Sequence, residues 1–249
     1  ILLSSYGKNK IKGGAVKYSF ISDELDISGS AEFTASDTRL TSVGTFTPDF
    51  SGITKPQTAV LTLTLGELHN SYVFRLYPDC NVEITENGIK TADDELIFVG
   101  STEKAKELIA RGKKAMVITD GSKAIENAYC ADFWNYHMFR VISESMNKPV
   151  APGTMGLLID KDNKLLNDFP SEKFTTPQWY EAITHSKADI LDDDPEITPI
   201  VQVVDNTERC HRLGMLYKKN GVLHCSIRLW EAADYPEIKQ LAKSITENF

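Results

Sequence analysis

A change of hydrophobic period near residue 90 constrains this chain more than any other feature. Upstream of it, apolar residues recur at every second position. In VLTLTL, Leu61, Leu63 and Leu65 alternate with Thr62 and Thr64, which puts the leucines on one face of a strand and the threonines on the other. SYVFRLYP follows the same rule with Tyr72, Phe74 and Leu76, and reads as a final core strand. AVKYSF, SAEFTAS and TSVGTFTPDF are further short runs, separated by Gly, Ser, Asp and Pro, and VLTLTL itself sits within TAVLTLTLG. Such runs, six or seven within residues 1–85, predict a small antiparallel β-sandwich.

Downstream the period lengthens. LIFVG is a short apolar strand, STEKAKELIARG a helix and KKAMVITDG a second strand. Ser101 suits the helix N-cap and Glu103 its first turn. Ala105, Leu108 and Ile109 form a stripe at helical spacing, and Gly112 stands where a left-handed C-terminal residue is wanted. Strand, helix and strand in this order make a βαβ unit and imply a parallel sheet. GLLID (156–160) and PIVQVVD (199–205) are continuous apolar runs, as expected of parallel strands covered on both faces. RLGMLY and VLHCSIRLW flank KKNG as a hairpin, and YPEIKQLAKSITENF is an amphipathic helix with Ile238, Leu241, Ala242 and Ile245 on one face. The boundary between the halves falls in PDCNVEITENG, residues 78–88.

Charge and composition remove several function classes. The 249 residues carry a net charge of −8, and no run of Lys and Arg supplies the basic face that a nucleic acid or an anionic membrane requires. No stretch approaches the ~20 apolar residues of a membrane span. The opening ILLSSYGKNK lacks the pattern of a signal peptide. It reads as the inside of a folded domain, as in a fragment of a longer protein or a mature chain whose leader is gone. Cys80, Cys130, Cys210 and Cys225 form no CxxC pair, so they read as packed thiols.

The motifs of chemistry are sparse. GxGxxG and GxxxxGK[ST] are both missing after the strands. The loops beginning at Asp160 and Asp192 lack the glycine and glutamate of a calcium loop. Cys210-His211 and His224-Cys225 lack the further donors of a zinc site. Cys130 is flanked by Tyr129 and Ala131, where a nucleophile elbow needs small residues. The helical spacing of Met138, Phe139, Ile142 and Met146 puts them on a buried helix face. The remaining candidates are Trp134 and Trp179, whose rings suit stacking on a sugar, Asn135 beside the first, and Asp205 and Asn206 at the end of an apolar strand. For that last pair a turn cap with an ion pair is the competing reading.

Four segments, FWNYHMF, PGTMGLLID, DFPSEKFTTPQWYEAI and ITPIVQVVDNTERCHRLGMLY, occur in an order that resembles the C-terminal accessory region of family 2 glycoside hydrolases of the β-galactosidase type from gut Bacteroidetes. His137, Met155 and Tyr180 depart from that pattern, which has Pro, Leu and Trp there. The resemblance implies an immunoglobulin-like β-sandwich over residues 1–85. It implies a flavodoxin-like or class I amidotransferase-like α/β domain with a mainly parallel sheet over 86–249. It further implies a location outside the cytoplasm, in the periplasm or beyond, with carbohydrate and the parent enzyme's catalytic barrel as partners. Those hydrolases use two glutamates ~5 Å apart on a (β/α)₈ barrel of ~250 residues. No room exists here for that barrel, so no catalytic residue, cofactor or metal is expected. The expected role is support of the barrel or weak carbohydrate binding through Trp134, Asn135, Trp179, Asp205 and Asn206. Two alternatives stand beside it. One is a purely structural or dimerising module. The other is a diverged amidotransferase or esterase, with Cys130 or Ser122 within reach of a histidine.

Overall fold

A computed structural model describes residues 1–6, 11–35, 39–129, 137–148, 154–207 and 209–249. The chain divides into two units, Ile1–Pro78 and Asp79–Phe249. It is mostly β, with several sheets, one of them mixed.

In the first unit the strands are β1 (Leu2–Ser4), β2 (Lys12–Ile21), β3 (Asp26–Ala35), β4 (Leu40–Ser42), β5 (Gln57–Leu65) and β6 (Leu68–Leu76). An antiparallel sheet runs in the order β3-β2-β5-β6, and β1 pairs with β4. Only Leu40–Ser42 of the TSVGTFTPDF region is strand; the residues after it carry Phe46 and Phe50 against the sheet as coil. There Phe20 packs with Ile53, Ala59 and Leu76, and its ring meets those of Phe46, Phe50 and Phe74 at 6.0, 5.7 and 5.8 Å. The expectation that SYVFRLYP is a core strand needs correction. β6 is a sheet edge, and Tyr72, Val73 and Phe74 are 46, 62 and 43% exposed. Alternation sorted the side chains by face, but an edge strand has neighbours on one flank only.

The second unit contains β7 (Glu83–Thr85), β8 (Gly88–Lys90), β9 (Glu95–Val99), α1 (Thr102–Ala110), β10 (Lys114–Ile118), β11 (Ala124–Glu126), α2 (His137–Ser145), β12 (Thr154–Ile159), α3 (Tyr180–Thr184), β13 (Lys187–Ile190), β14 (Val201–Asp205), β15 (Arg212–Lys219), β16 (Val222–Cys225) and α4 (Pro236–Glu247). The βαβ unit is β9-α1-β10. Ser101 caps α1 by accepting from the Lys104 N–H, and Gly112 adopts φ +75° at its end. Ala105 packs with Val99, Ala115, Val117 and Val222 beneath the helix, with Leu108 at the margin.

A mainly parallel sheet is not what forms. Among the described strands, β9, β10 and β16 run parallel, and every other pairing is antiparallel. GLLID and PIVQVVD become β12 and β14, antiparallel to each other. An apolar run reports burial of both faces but not strand direction. The β15–β16 hairpin turns at Asn220 and Gly221, with φ of 52° and 78°, the left-handed pair of a type I′ turn. α4 buries Ile238, Leu241, Ala242 and Ile245 as its spacing predicts. α2 departs from expectation, because Ile142 and Met146 are 42 and 57% exposed while Ser143 is buried. Ile142 and Met146, just past the helix end, are four residues apart and both turned to solvent, while the side chains of Met138 and Phe139 lie outside the described residues.

Candidate functional site

In a sheet with parallel strands, ligands gather at the strands' carboxyl ends. β10 and β16 are parallel neighbours that end together, with Ile118 opposite Cys225. The Thr119 N–H donates to the Cys225 carbonyl at 3.1 Å and ties the two exits. From β10 the chain leaves through a tight turn, in which Asp120 Oδ1 accepts from the Ser122 N–H at 2.8 Å. Gly121 holds φ +71° there, a conformation that costs a side-chain-bearing residue ~1–2 kcal/mol. From β16 the chain leaves through Ser226 and Ile227. Ile227 bridges Ser186, and the Arg228 N–H donates to the His185 carbonyl at 2.9 Å.

These three segments wall a cleft of about 110 Å³. Its floor carries hydroxyls: Thr119, Ser186 and Ser226. The Ser186 hydroxyl donates to Ile183 O at 3.0 Å and accepts from Asn127 Nδ2 at 2.8 Å. The Ser226 hydroxyl is buried and has no partner. Two ion pairs stand on the rim, Lys187–Glu126 at 2.7 Å and Arg228–Glu231 at 3.1 Å. His185 completes the lining. Its Nδ1 lies 2.9 Å from Glu181 O and 3.5 Å from the Glu181 carboxylate, so that nitrogen carries a proton and donates toward Glu181.

Next to the floor lies a buried polar cluster. Burial raises the Asp189 carboxyl to about 6, against the opposing pull of the Thr119 and Tyr217 hydroxyls. The Tyr217 hydroxyl donates to Asp189 Oδ2 at 3.3 Å, and its ring stacks on His224 at 5.2 Å. Burial lowers the His224 pKa, and pushes the Cys225 thiol up to about 12. That thiol faces Ile227 O at 3.8 Å. A nucleophilic cysteine requires the opposite shift, toward thiolate. Ser122 makes no hydrogen bond to a histidine among the described residues. The arrangement can therefore hydrogen-bond a polar ligand, and the described residues supply no activated nucleophile. No group of three or more metal-ligating side chains occurs among the described residues.

The five residues expected to contact sugar fare differently. Trp134 and Asn135 lie outside the described residues, as does Cys130. Trp179 must be corrected. It has no exposed surface, meets Phe169 edge-on at 5.2 Å, and donates from Nε1 to Ser171 Oγ at 3.0 Å. A ring with both faces packed offers none to a sugar. Asp205 and Asn206 are corrected likewise. The Asp205 carboxylate accepts from Arg209 Nη2 at 2.5 Å, Arg209 Nε at 3.1 Å, the His211 N–H at 3.0 Å and the Asn206 N–H at 2.8 Å. Burial raises its pKa, but these donors outweigh it and hold the carboxyl below its ordinary value. Asn206 Oδ1 accepts from the Arg209 N–H at 3.0 Å. Both residues close their own loop, as a turn cap with an ion pair. None of Trp179, Asp205 and Asn206 lines the cleft.

Thr119, Ser226 and Arg228 are not among the candidates that the sequence offers. The available signal was position: Thr119 and Ser226 directly follow apolar strands. In the sequence VLHC reads as half of a hairpin, which hides its carboxyl end as the end of a parallel strand.

A family described as a domain of unknown function (DUF8488) matches residues 1–78, the span of the first unit. No curated protein matches the chain. A second family matches residues 96–248, more than half of the chain and most of the second unit, so the chain belongs to this family, described as a domain of unknown function (DUF8487).

Proposed function

We infer that this chain is the non-catalytic C-terminal accessory region of a family 2-type glycoside hydrolase, acting outside the cytoplasm. In this reading the first unit is an immunoglobulin-like sandwich, and the second is an amidotransferase-like domain that has lost its nucleophile. One observation carries it. Among the described residues, the carboxyl ends of β10 and β16 lead into Thr119 and Ser226, and the neighbouring Cys225 is a fully buried thiol, while Cys130 lies outside them. Three of the resemblance's motifs fall on described residues and serve structure there: GLLID builds β12, PIVQVVDN builds β14 and its turn, and QWY plants Trp179 in the core.

The bracing role draws support from β6. Leu68, Tyr72, Val73 and Phe74 stand exposed on one nine-residue edge strand. An apolar edge of that length calls for a cover, and natural sheets rarely leave one bare. The direct test is turnover by the purified chain on aryl β-glycosides, glutamine and aryl esters. The expected result is no turnover above buffer. Turnover abolished by Cys130→Ala or Ser122→Ala would replace the accessory reading with the amidotransferase or esterase one.

A further inference from the structure

We propose that the cleft at the ends of β10 and β16 binds a neutral polyhydroxylated ligand, the edge of a single sugar ring. The proposal rests on the carbohydrate half of the accessory reading, and it moves the contact to residues that the sequence did not single out. Three observations fix the class of ligand. First, the charges on the rim are balanced. Each cation, Lys187 and Arg228, already faces a carboxylate, Glu126 and Glu231. A free anion would meet two acids beside its two bases, whereas vicinal hydroxyls donate to the carboxylates and accept from the cations. These pairs are largely exposed, and such pairs hold together by ~0–1 kcal/mol, so re-pairing with a ligand costs little.

Second, the floor holds an unmet polar group. Ser226 is only 7% exposed and its Oγ has no partner. A buried hydroxyl without a partner costs ~1–3 kcal/mol, and it belongs to a residue lining the cleft. The Oγ itself is closed to solvent where it stands, so a turn about χ1 must bring it to the cleft, where a ligand hydroxyl can act toward it as donor or acceptor. Third, the volume of about 110 Å³ is far below the ~300–1,000 Å³ of pockets that enclose drug-sized ligands. It accommodates a few atoms of a ring edge, with the rest in solvent. Among the described residues no Phe, Tyr or Trp ring lines it, which predicts affinity in the millimolar range, ~1–10 mM.

The experiment is an amide NMR titration of the isotope-labelled full chain with methyl glycosides, and in a parallel arm with inorganic phosphate. Saturable shifts of the Gly121, Lys187 and Ser226 amides with at least one methyl glycoside are expected. Ser226→Ala should weaken that binding about 5-fold, the loss of one neutral hydrogen bond, with the remaining spectrum unchanged. Arg228→Ala, at an exposed position, should weaken it as well, and serves alone if Ser226→Ala fails to fold. Cleft shifts with phosphate alone would overturn the ligand class. Silence in both arms, or glycoside binding undiminished in both variants, would overturn the site. A silent cleft leaves the accessory reading standing, while glycoside turnover by the chain removes that reading and leaves the cleft.

Discussion

Asp189→Asn should stabilise this protein at neutral pH. The residue is 7% exposed on β13, between Ala124 of β11 and Gly214 of β15. Burial raises its carboxyl from 3.8 to about 6. A carboxyl with a raised folded pKa binds its proton more tightly in the folded state than in the unfolded one. Its contribution is fully present below pH ~4, declines as pH rises toward 6, and is lost above that. The gap between 3.8 and about 6, at 1.36 kcal/mol per pH unit, puts the cost of the ionised form at pH 7 at about 3 kcal/mol. Asparagine is isosteric and stays neutral. Its Oδ1 can accept from Tyr217, and its Nδ2 can donate to Thr119. Urea unfolding followed by tryptophan fluorescence suits the test, because Trp134, Trp179 and Trp230 all lie in the second unit. The variant should exceed wild type by ~1–3 kcal/mol at pH 7, with the difference shrinking toward zero near pH 4. A variant less stable than wild type at pH 7, or a difference independent of pH, would refute the reasoning.

Three further outcomes are expected. Trp179→Ala should cost ~3–5 kcal/mol in the same unfolding assay and leave any glycoside binding by the folded protein unchanged, since the ring is core. Asp205→Ala should cost ~3–5 kcal/mol at pH 7 by stranding Arg209 and two loop N–H groups. Because the folded pKa of Asp205 is depressed, its stabilisation exists above ~pH 4 and disappears as pH falls below it, so the penalty measured by urea titration should fade only below ~pH 4, under the window in which the Asp189 effect fades. In a variant with serine at positions 80, 130 and 210, Cys225 should react with a thiol reagent only as fast as the protein unfolds, because the thiol is fully buried and its pKa raised to about 12; reaction on mixing would contradict that placement.

Local rules read much of this fold correctly, and each miss has a physical source. The α1 cap at Ser101, the left-handed Gly112, the β15–β16 turn and the buried stripe of α4 all depend on neighbours within a few residues, so sequence spacing displays them. Strand direction does not depend on neighbours. GLLID and PIVQVVD are apolar because both faces are covered, and that holds whichever way they run. The edge position of β6 and the exposure of Ile142 and Met146 are set by what packs beside them, which spacing cannot report. The site was obscured by the same limit. Trp179 and Asp205 have the side chains of a sugar site, yet the fold uses the ring as core and the carboxylate as a loop anchor. Ser226 and Thr119 are unremarkable residue types, and only the parallel pairing of β10 with β16 gives them a cleft.

The accessory assignment is tested most directly by sequencing the reading frame upstream of Ile1. The predicted result is a continuous frame encoding a (β/α)₈ barrel with two glutamates at strand ends, placed ~5 Å apart for retention. A frame that starts shortly before Ile1, or one that encodes no such barrel, would contradict it.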